Sequence, residues 1–479
     1  MSPKKTLNIN EIKLTKIFWP VYLLAGFQSL AFSGIFVLTV PLSRIMWPDE
    51  PYRALEMGIL VTTLFWTSSI AGLLIGRYID KYSRTFILFI ISIFRGFSMV
   101  MISFANEGGG IRTWWYFFLF IFIFACFAGG SYPAIVSLSH DIVPKKQRSQ
   151  FFGRFFIIMS IFTMLGFLVG GLLFQIGQWR LFFVVIGVAI TITGFITLIH
   201  IKEPKRGSQN EELISVLQDE NIKYDFKINR ETRRKTMLSK TNLVALIEGI
   251  FTNVFIGSIH ILILPYIQNP PHNFSPFSTG VFLVVFGLTG GVIGQIVLAK
   301  VSDRVAEKNH IRRLYFIIFS LAAGGFTFIL MFYLPLPHLT IAEGENLTNF
   351  FRSPVIWMMG MIYFTSSTIS TLYAINQPPI LQDINLPEAQ GQIVSWNQFL
   401  ENIGYGAGPL IAGLLITLSG QNYQLIAVII GLIAIPGIIL WICSIRWYPS
   451  DLKIVKEILE ERANILQNRK NDSTPEFDE

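Results

Sequence analysis

Cysteine is nearly missing from this 479-residue chain: only Cys126 and Cys443 occur, far apart and each inside an apolar run. Two such residues build neither a disulfide framework nor a thiolate metal site. Charge is scarce too, with Asp, Glu, Lys and Arg at 14% of residues against 52% hydrophobic ones. That is too little to cover a soluble globule of this size, and the mean hydropathy of +0.54 agrees. The polar start, MSPKKTLNINEIKLTK, lacks the short apolar core and small-residue cleavage site of a secretory signal, so the first apolar run is expected to stay as a helix. Nucleophile and base constellations, metal-ligand clusters and phosphate loops are missing as well. No catalytic residue, metal or cofactor is therefore expected, and enzymatic function is excluded.

What is present is a series of twelve apolar runs, each long enough to cross about 30 Å of hydrocarbon as a helix. The first six are expected over 18–45, 55–79, 86–106, 113–139, 152–176 and 180–201. The second six are expected over 242–268, 278–300, 313–335, 353–381, 392–419 and 422–446. The fold class read from this is an all-α membrane protein of two six-helix halves, residues 18–201 and 242–446. Flanking them are a polar segment, 1–17, a charged linker, 202–241, and a tail, 447–479. In the linker Glu211–Gln218 reads as a short amphipathic helix; in the tail Ser450 reads as the cap of another, with Leu452, Val455, Leu459, Ala463 and Leu466 at helical spacing.

A formal net charge of +8 raises the question of nucleic acid, but the placement of the bases answers it. With both termini cytoplasmic, the outer loops hold only Arg44, Arg53, Arg112, Arg180 and Arg352, Arg95 lies within a run, and the other 32 Lys and Arg fall in cytoplasmic segments. Alternation of that kind orients a multi-pass protein in the cell membrane, with no nucleic-acid partner implied. The inner loop between helices 10 and 11 breaks the pattern, carrying Asp383 and Glu388 and no base.

Between helices 2 and 3 stands GRYIDKYSR, Gly76 to Arg84, and AKVSDR, Ala299 to Arg304, stands after helix 8. The position of the second relative to its half repeats the first. On these residues the chain resembles the major facilitator superfamily, whose signature loop has a small residue, an Asp four positions on, an adjacent base, then Gly and Arg. Gly76, Asp80, Lys81 and Arg84 match, and Ser83 stands in place of the second Gly. The resemblance implies a transporter in which Asp80 meets the start of helix 11, Arg84 lies near the foot of helix 4 around Asp141, and the two latch the cytoplasmic side. By pseudo-symmetry Asp303, beside Arg304, would meet the start of helix 5 near Arg148 and Arg154. GFLVGG, Gly166–Gly171, and GPLIAG, Gly408–Gly413, are small-residue stretches that let helices approach closely. The first is similar to the helix 5 motif of proton-coupled antiporters, except that Phe167 stands where that motif has Pro. SYPAIVSLSHDIVPKKQRS, Ser131 to Ser149, together with EPKRG, Glu203 to Gly207, resembles the spinster branch of lysolipid and sphingolipid transporters. That branch carries an Arg and a Glu within helix 4, and this helix 4 has neither.

Three charges lie within the apolar runs: Glu248 on helix 7, Glu401 on helix 11 and Arg95 on helix 3. Intramembrane charges are costly and are functional candidates by default. At 1.5 Å per residue Glu248 stands about 9 Å from the cytoplasmic end and the other two about 14 Å. Helices 7 and 11 are neighbours in the implied fold, so the two carboxylates are expected to lie close, an arrangement suited to taking up and releasing a coupling proton. The alternative is that each Glu is simply hydrogen-bonded to neighbours such as Asn253, Asn397 or Asn402. Arg95 either binds an anionic head group or braces helices 1 to 4. The implied cavity, lined by helices 1, 4, 7 and 10, takes its polar groups from Gln28, Ser131, Tyr132, Asn253, Tyr363, Ser366, Tyr373, Asn376 and Gln377 among many apolar and aromatic ones. Such a lining fits an amphipathic or hydrophobic small molecule moved by alternating access, with the bilayer and protons as the other partners and the chain a monomer. A lysolipid carrier and a transporter-like sensor that binds without turnover are the alternatives.

Overall fold

The protein, described here by a computed structural model over residues 14–79, 82–143, 148–203 and 228–473, is helical, with no strand among the described residues. Among the described residues twelve helices are long and apolar enough to cross a membrane. In the first half α1 is Leu14–Val37, resuming after one residue as Thr39–Met46; α2 is Ala54–Ile79 and α3 Arg84–Ile102. Helix α4 comprises Ile111–Ala128 and, after a break at Gly129 and Gly130, Ser131–Ile142; α5 is Arg148–Gln175 and α6 Trp179–His200. In the second half α7 is Lys240–Gln268, and α8 joins Pro276–Phe282 to Thr289–Lys308 through a π-helical turn, Leu283–Leu288. Then come α9, Arg312–Phe332, α10, Pro354–Asp383, α11, Pro387–Leu418, and α12, Tyr423–Ser473. Helices apolar on every side satisfy their backbone groups internally and leave side chains to face lipid or one another.

The face on which α1 begins is called proximal below, and the opposite one distal. On the distal side a single apolar core runs through both halves, joining Leu60 and Phe182 to Ile263, Ile416 and Ile426. On the proximal side the core splits into two clusters that stay within their halves. One is built on Phe18, Phe151 and Phe155, and the other on Ile317, Trp441 and Tyr448. Small residues make the distal contact possible: a methyl on Gly58 of α2 would come within 2.5 Å of the Pro409 carbonyl of α11, and one on Gly171 of α5 within 2.6 Å of the Pro276 carbonyl of α8. The glycine stretches on α5 and α11 thus sit where the halves touch.

Two sequence expectations about helix limits change. Helix α1 starts at Leu14, inside the segment expected to precede the first half. The separate tail helix does not exist, because α12 runs unbroken to Ser473 through Pro449, and Ser450 Oγ donates to the Trp447 carbonyl instead of capping a new helix. Proline removes one helical hydrogen bond, but docking on both sides outweighs that loss. Tyr448 is fully buried and its hydroxyl bonds Asp383 at 3.1 Å, while the Asp451 carboxylate accepts the Thr241 backbone N–H at 3.0 Å at the start of α7. The Glu211–Gln218 helix lies outside the described residues.

Candidate functional site

Where the halves part on the proximal side, a groove of about 430 Å³ opens between α2, α4 and α11. Phe65, Leu73 and Phe399 give it apolar walls; Ser68, Ser69, Tyr132, Ser395, Gln398 and Asn402 give it hydroxyls and amides, and among the described residues no charged side chain lines it. Helix α4 bends into this space at Gly129, which packs so closely on the Ser68 and Gly72 backbone that no larger residue fits. Distally the groove is stopped by aromatic packing of Phe65 on Tyr405, with ring centroids 4.5 Å apart, and by the Trp66 indole N–H donating to the Ile403 carbonyl at 2.9 Å. Beyond that, Arg44 donates across the halves to the Gln268 carbonyl at 2.8 Å and to Asn269 Oδ1 at 3.1 Å. Apart from Tyr132, these groove and seal residues were not named as cavity candidates in the sequence, although the small-residue stretch within α11 marked their neighbourhood.

Of the polar residues expected to line a cavity on helices 1, 4, 7 and 10, Tyr132 reaches the groove. The others turn elsewhere. Ser131 accepts from Arg95, Asn253 donates to its own helix at the Gly249 carbonyl, Ser366 pairs with Thr327 of α9 at 3.0 Å, and Tyr363 stacks on Phe282. Asn376 is fully buried and accepts from Ser302 at 2.6 Å and Arg313 at 3.4 Å, tying α8, α9 and α10 together. Gln28 is buried on α1 with its Nε2 lacking a hydrogen-bond partner.

Tyr373 and Gln377 instead join the two intramembrane acids. Glu248 is fully buried, takes the Thr252 hydroxyl on Oε1 and accepts the Tyr373 hydroxyl on Oε2 at 3.2 Å. Glu401 accepts Gln377 Nε2 and Asn397 Nδ2 on Oε1, each at 2.8 Å, and Gln377 Nε2 also donates to the Tyr373 oxygen at 3.0 Å. The expected closeness of the two carboxylates is realised through α10, within the second half. Glu401 packs against Gly249, where a side chain would meet its Cγ at 3.1 Å. Arg95 stands apart from them. Buried between α3 and α4, it donates to Ser131 Oγ at 3.3 Å and lies over the Phe124 ring at 4.3 Å, with its Nε unpartnered.

The expected gating residues divide. Asp80 and Lys81 lie outside the described residues; Asp141 and Arg148 sit on α4 and at the start of α5, their side chains undescribed. Gly76 faces open space, and Arg304 is exposed. Arg84 is buried at the foot of α4, as the resemblance implied, donating to the Ser137 carbonyl at 2.9 Å and to Glu203 Oε1 at 2.7 Å. Glu203 Oε2 accepts the Thr85 backbone N–H at 3.1 Å, so the acid completing the α3 terminus comes from the end of α6. Burial works to raise the Glu203 carboxyl, but the hydrogen bonds and charge of Arg84 and the Thr85 N–H outweigh it and hold it below the usual carboxylate value. Ser83, where the signature loop has Gly, is the N-cap of α3, accepting the Phe86 N–H at 3.3 Å. Asp303 pairs with Arg313 of its own half at 3.1 Å and Arg154 donates to Thr15, so among the described side chains the expected approach of Asp303 to Arg154 is not made in this conformation.

Comparison with known proteins extends these observations. Residues 14–382 match the description of the Major Facilitator Superfamily. A tetracycline resistance protein of class H from Pasteurella multocida is 22% identical over 278 residues, a match spanning 58% of this chain and 65% of that protein, just under two thirds of its length. Among solved structures, the fold resembles a bacterial homologue of the human lysosomal transporter Spinster in an inward-facing, occupied conformation, with TM-score 0.66, 16% identity, and coverage of 91% of this chain and 98% of that one. It also resembles the nucleoside transporter NupG, with TM-score 0.63, 12% identity, and coverage of 90% and 99%.

Proposed function

This chain belongs to the Major Facilitator Superfamily of membrane transporters, and from that premise we propose that it is a secondary transporter moving a small amphipathic or hydrophobic solute by alternating access, with protons as the coupling ion. The observation that carries the reading is the arrangement of the halves, joined through one distal core and parted proximally around a groove whose described lining is apolar and uncharged polar. A solute-sized space open to one side and sealed from the other is one half of an alternating-access cycle. The mixed lining favours a ligand with an apolar body and one or two hydrogen-bonding groups. Coupling to protons is supported by two linked intramembrane carboxylates with no cation beside them among the described residues.

On this reading the proximal face is cytoplasmic, the termini lie there, and the protein works as a monomer in the cell membrane. Closure on that reading brings Asp303 and Asp383 of the second half toward the bases of the first. In the open conformation Asp383 stays with its own half, bonded to Tyr448 and 3.6 Å from His310. A second reading, a lysolipid-type carrier, is favoured by the α2 and α11 wall of the groove, where Leu73 and Phe399 leave an apolar path. Uptake of neutral amphiphiles and of a lysophospholipid into liposomes carrying the purified protein, with and without a pH gradient, separates the readings. Gradient-dependent uptake of the former supports the first; binding without uptake of either would replace transport by sensing.

A further inference from the structure

We propose that Tyr373 relays a proton between Glu401, the port that exchanges with the groove, and Glu248, a buried store; the use made of that proton rests on the coupled-transport reading above.

The argument starts from access. Glu248 is fully buried among Thr252 of its own helix, Tyr373 of α10, and Trp441 and Gly437 of α12, so water has no direct approach to it. Glu401 is partly exposed, and its neighbours along α11, Gln398 and Asn402, line the groove. The path between the acids runs through one hydroxyl. Tyr373 donates to Glu248 Oε2 at 3.2 Å, and its hydroxyl is brought beside Glu401 by Gln377, whose Nε2 bonds both the Tyr373 oxygen at 3.0 Å and Glu401 Oε1 at 2.8 Å.

A phenol has one proton to donate and two lone pairs to accept with, so it serves only one carboxylate as donor at a time. Gln377, one turn along α10, holds the phenol oxygen by donating to one lone pair at 3.0 Å and fixes Glu401 by donating to Oε1 at 2.8 Å. With Asn397 on the same Oε1, Glu401 keeps Oε2 for a proton, and the second lone pair of Tyr373 is left to receive it. The transfer then balances: protonated Glu401 breaks its O–H bond and gives the proton to the Tyr373 oxygen, while Tyr373 gives its own proton to the Glu248 carboxylate. One proton moves, the phenol ends neutral, and the negative charge passes from Glu248 to Glu401. Thr252 also donates to Glu248 but leads back along α7, so it bonds the acid without connecting it to the groove. The groups facing the pair are these hydroxyls, amides and the Trp441 indole, with no Lys, Arg or His among the described residues.

The test reads protons, not transport. Purified protein in lipid nanodiscs is subjected to a pH jump, and carboxylic C=O absorption is followed by time-resolved infrared spectroscopy, with Glu401→Gln and Glu248→Gln assigning the two bands. Tyr373→Phe removes only the hydroxyl and should slow protonation of Glu248 by on the order of 100-fold, leaving Glu401 fast. Glu401→Gln should slow Glu248 similarly. Thr252→Val also takes a hydroxyl from Glu248 and, not lying on the path, should leave the rate unchanged; if Tyr373→Phe misfolds, Gln377→Leu, which frees the phenol oxygen, should slow the same step. Unaltered Glu248 kinetics in Tyr373→Phe and Glu401→Gln overturns the relay, even if uptake is proton-driven. Slowed kinetics with uptake indifferent to a pH gradient keeps the relay and removes the coupling reading.

Discussion

At the residue scale, acids inside apolar runs were plain in the sequence because the cost of placing charge in hydrocarbon singles out Glu248 and Glu401 whatever the fold. Their partners were less legible. Consecutive helical residues point about 100° apart, so Asn376 and Gln377 face different neighbours, and a sequence that specifies α10 leaves its rotation open. Gln377 went to the carboxylates and Asn376 to Ser302 and Arg313. Arg95 is the residue whose role the structure narrows most. With its guanidinium over Phe124 and one hydrogen bond to Ser131, it braces α3 against α4 at the expense of burying a charge. Arg95→Met, which keeps the volume without the charge, should hold or raise the melting temperature, whereas Arg95→Ala, which leaves a cavity, should cost about 2–4 kcal/mol in a thermal or denaturant melt. Equal losses in both variants would mean that the charge itself is needed.

Helix count and order were legible at the scale of elements, since each run is long and apolar. Interruptions were not. The break in α4 follows from Gly129 pressing on α2, and the continuation of α12 through Pro449 from the docking of Tyr448 and Asp451, all of which are contacts distant in sequence. The same holds for Glu203, quoted in the sequence for its motif and found to close the α3 terminus with Arg84. Because Glu203 is held below its usual value of 4.5 in the folded protein, its contribution is complete above that value and is lost as the pH falls through the lower folded value. Wild type should therefore lose melting temperature on acidification below about pH 5, and Glu203→Gln should begin lower and show a shallower acid limb. Parallel acid limbs in the two proteins would show that the pair is solvated and contributes nothing.

For the whole molecule, the two halves were legible in the repeated loops and the small-residue stretches, but which face is closed was not, because closure rests on contacts between residues distant in sequence. The structure has the distal seal made, with Asp303 and Asp383 facing Arg313 and His310 of their own half. Gly58→Leu, which overfills the contact with Pro409, should push the equilibrium away from the groove-open state. In a background lacking Cys126 and Cys443, a cysteine at Ser69 in the groove should then react several-fold more slowly with an impermeant thiol reagent applied from the proximal side. Unchanged labelling would mean that the α2 and α11 seam does not move. The central claim, a proton-coupled carrier using the linked carboxylates, is tested most directly in liposomes loaded with a pH-sensitive dye. A transported amphiphile imposed as a gradient should drive a pH change in wild type and none in Glu401→Gln, while solute exchange without a gradient survives in the variant. Proton movement of equal size in Glu401→Gln, or solute movement in wild type with no proton movement, would contradict it.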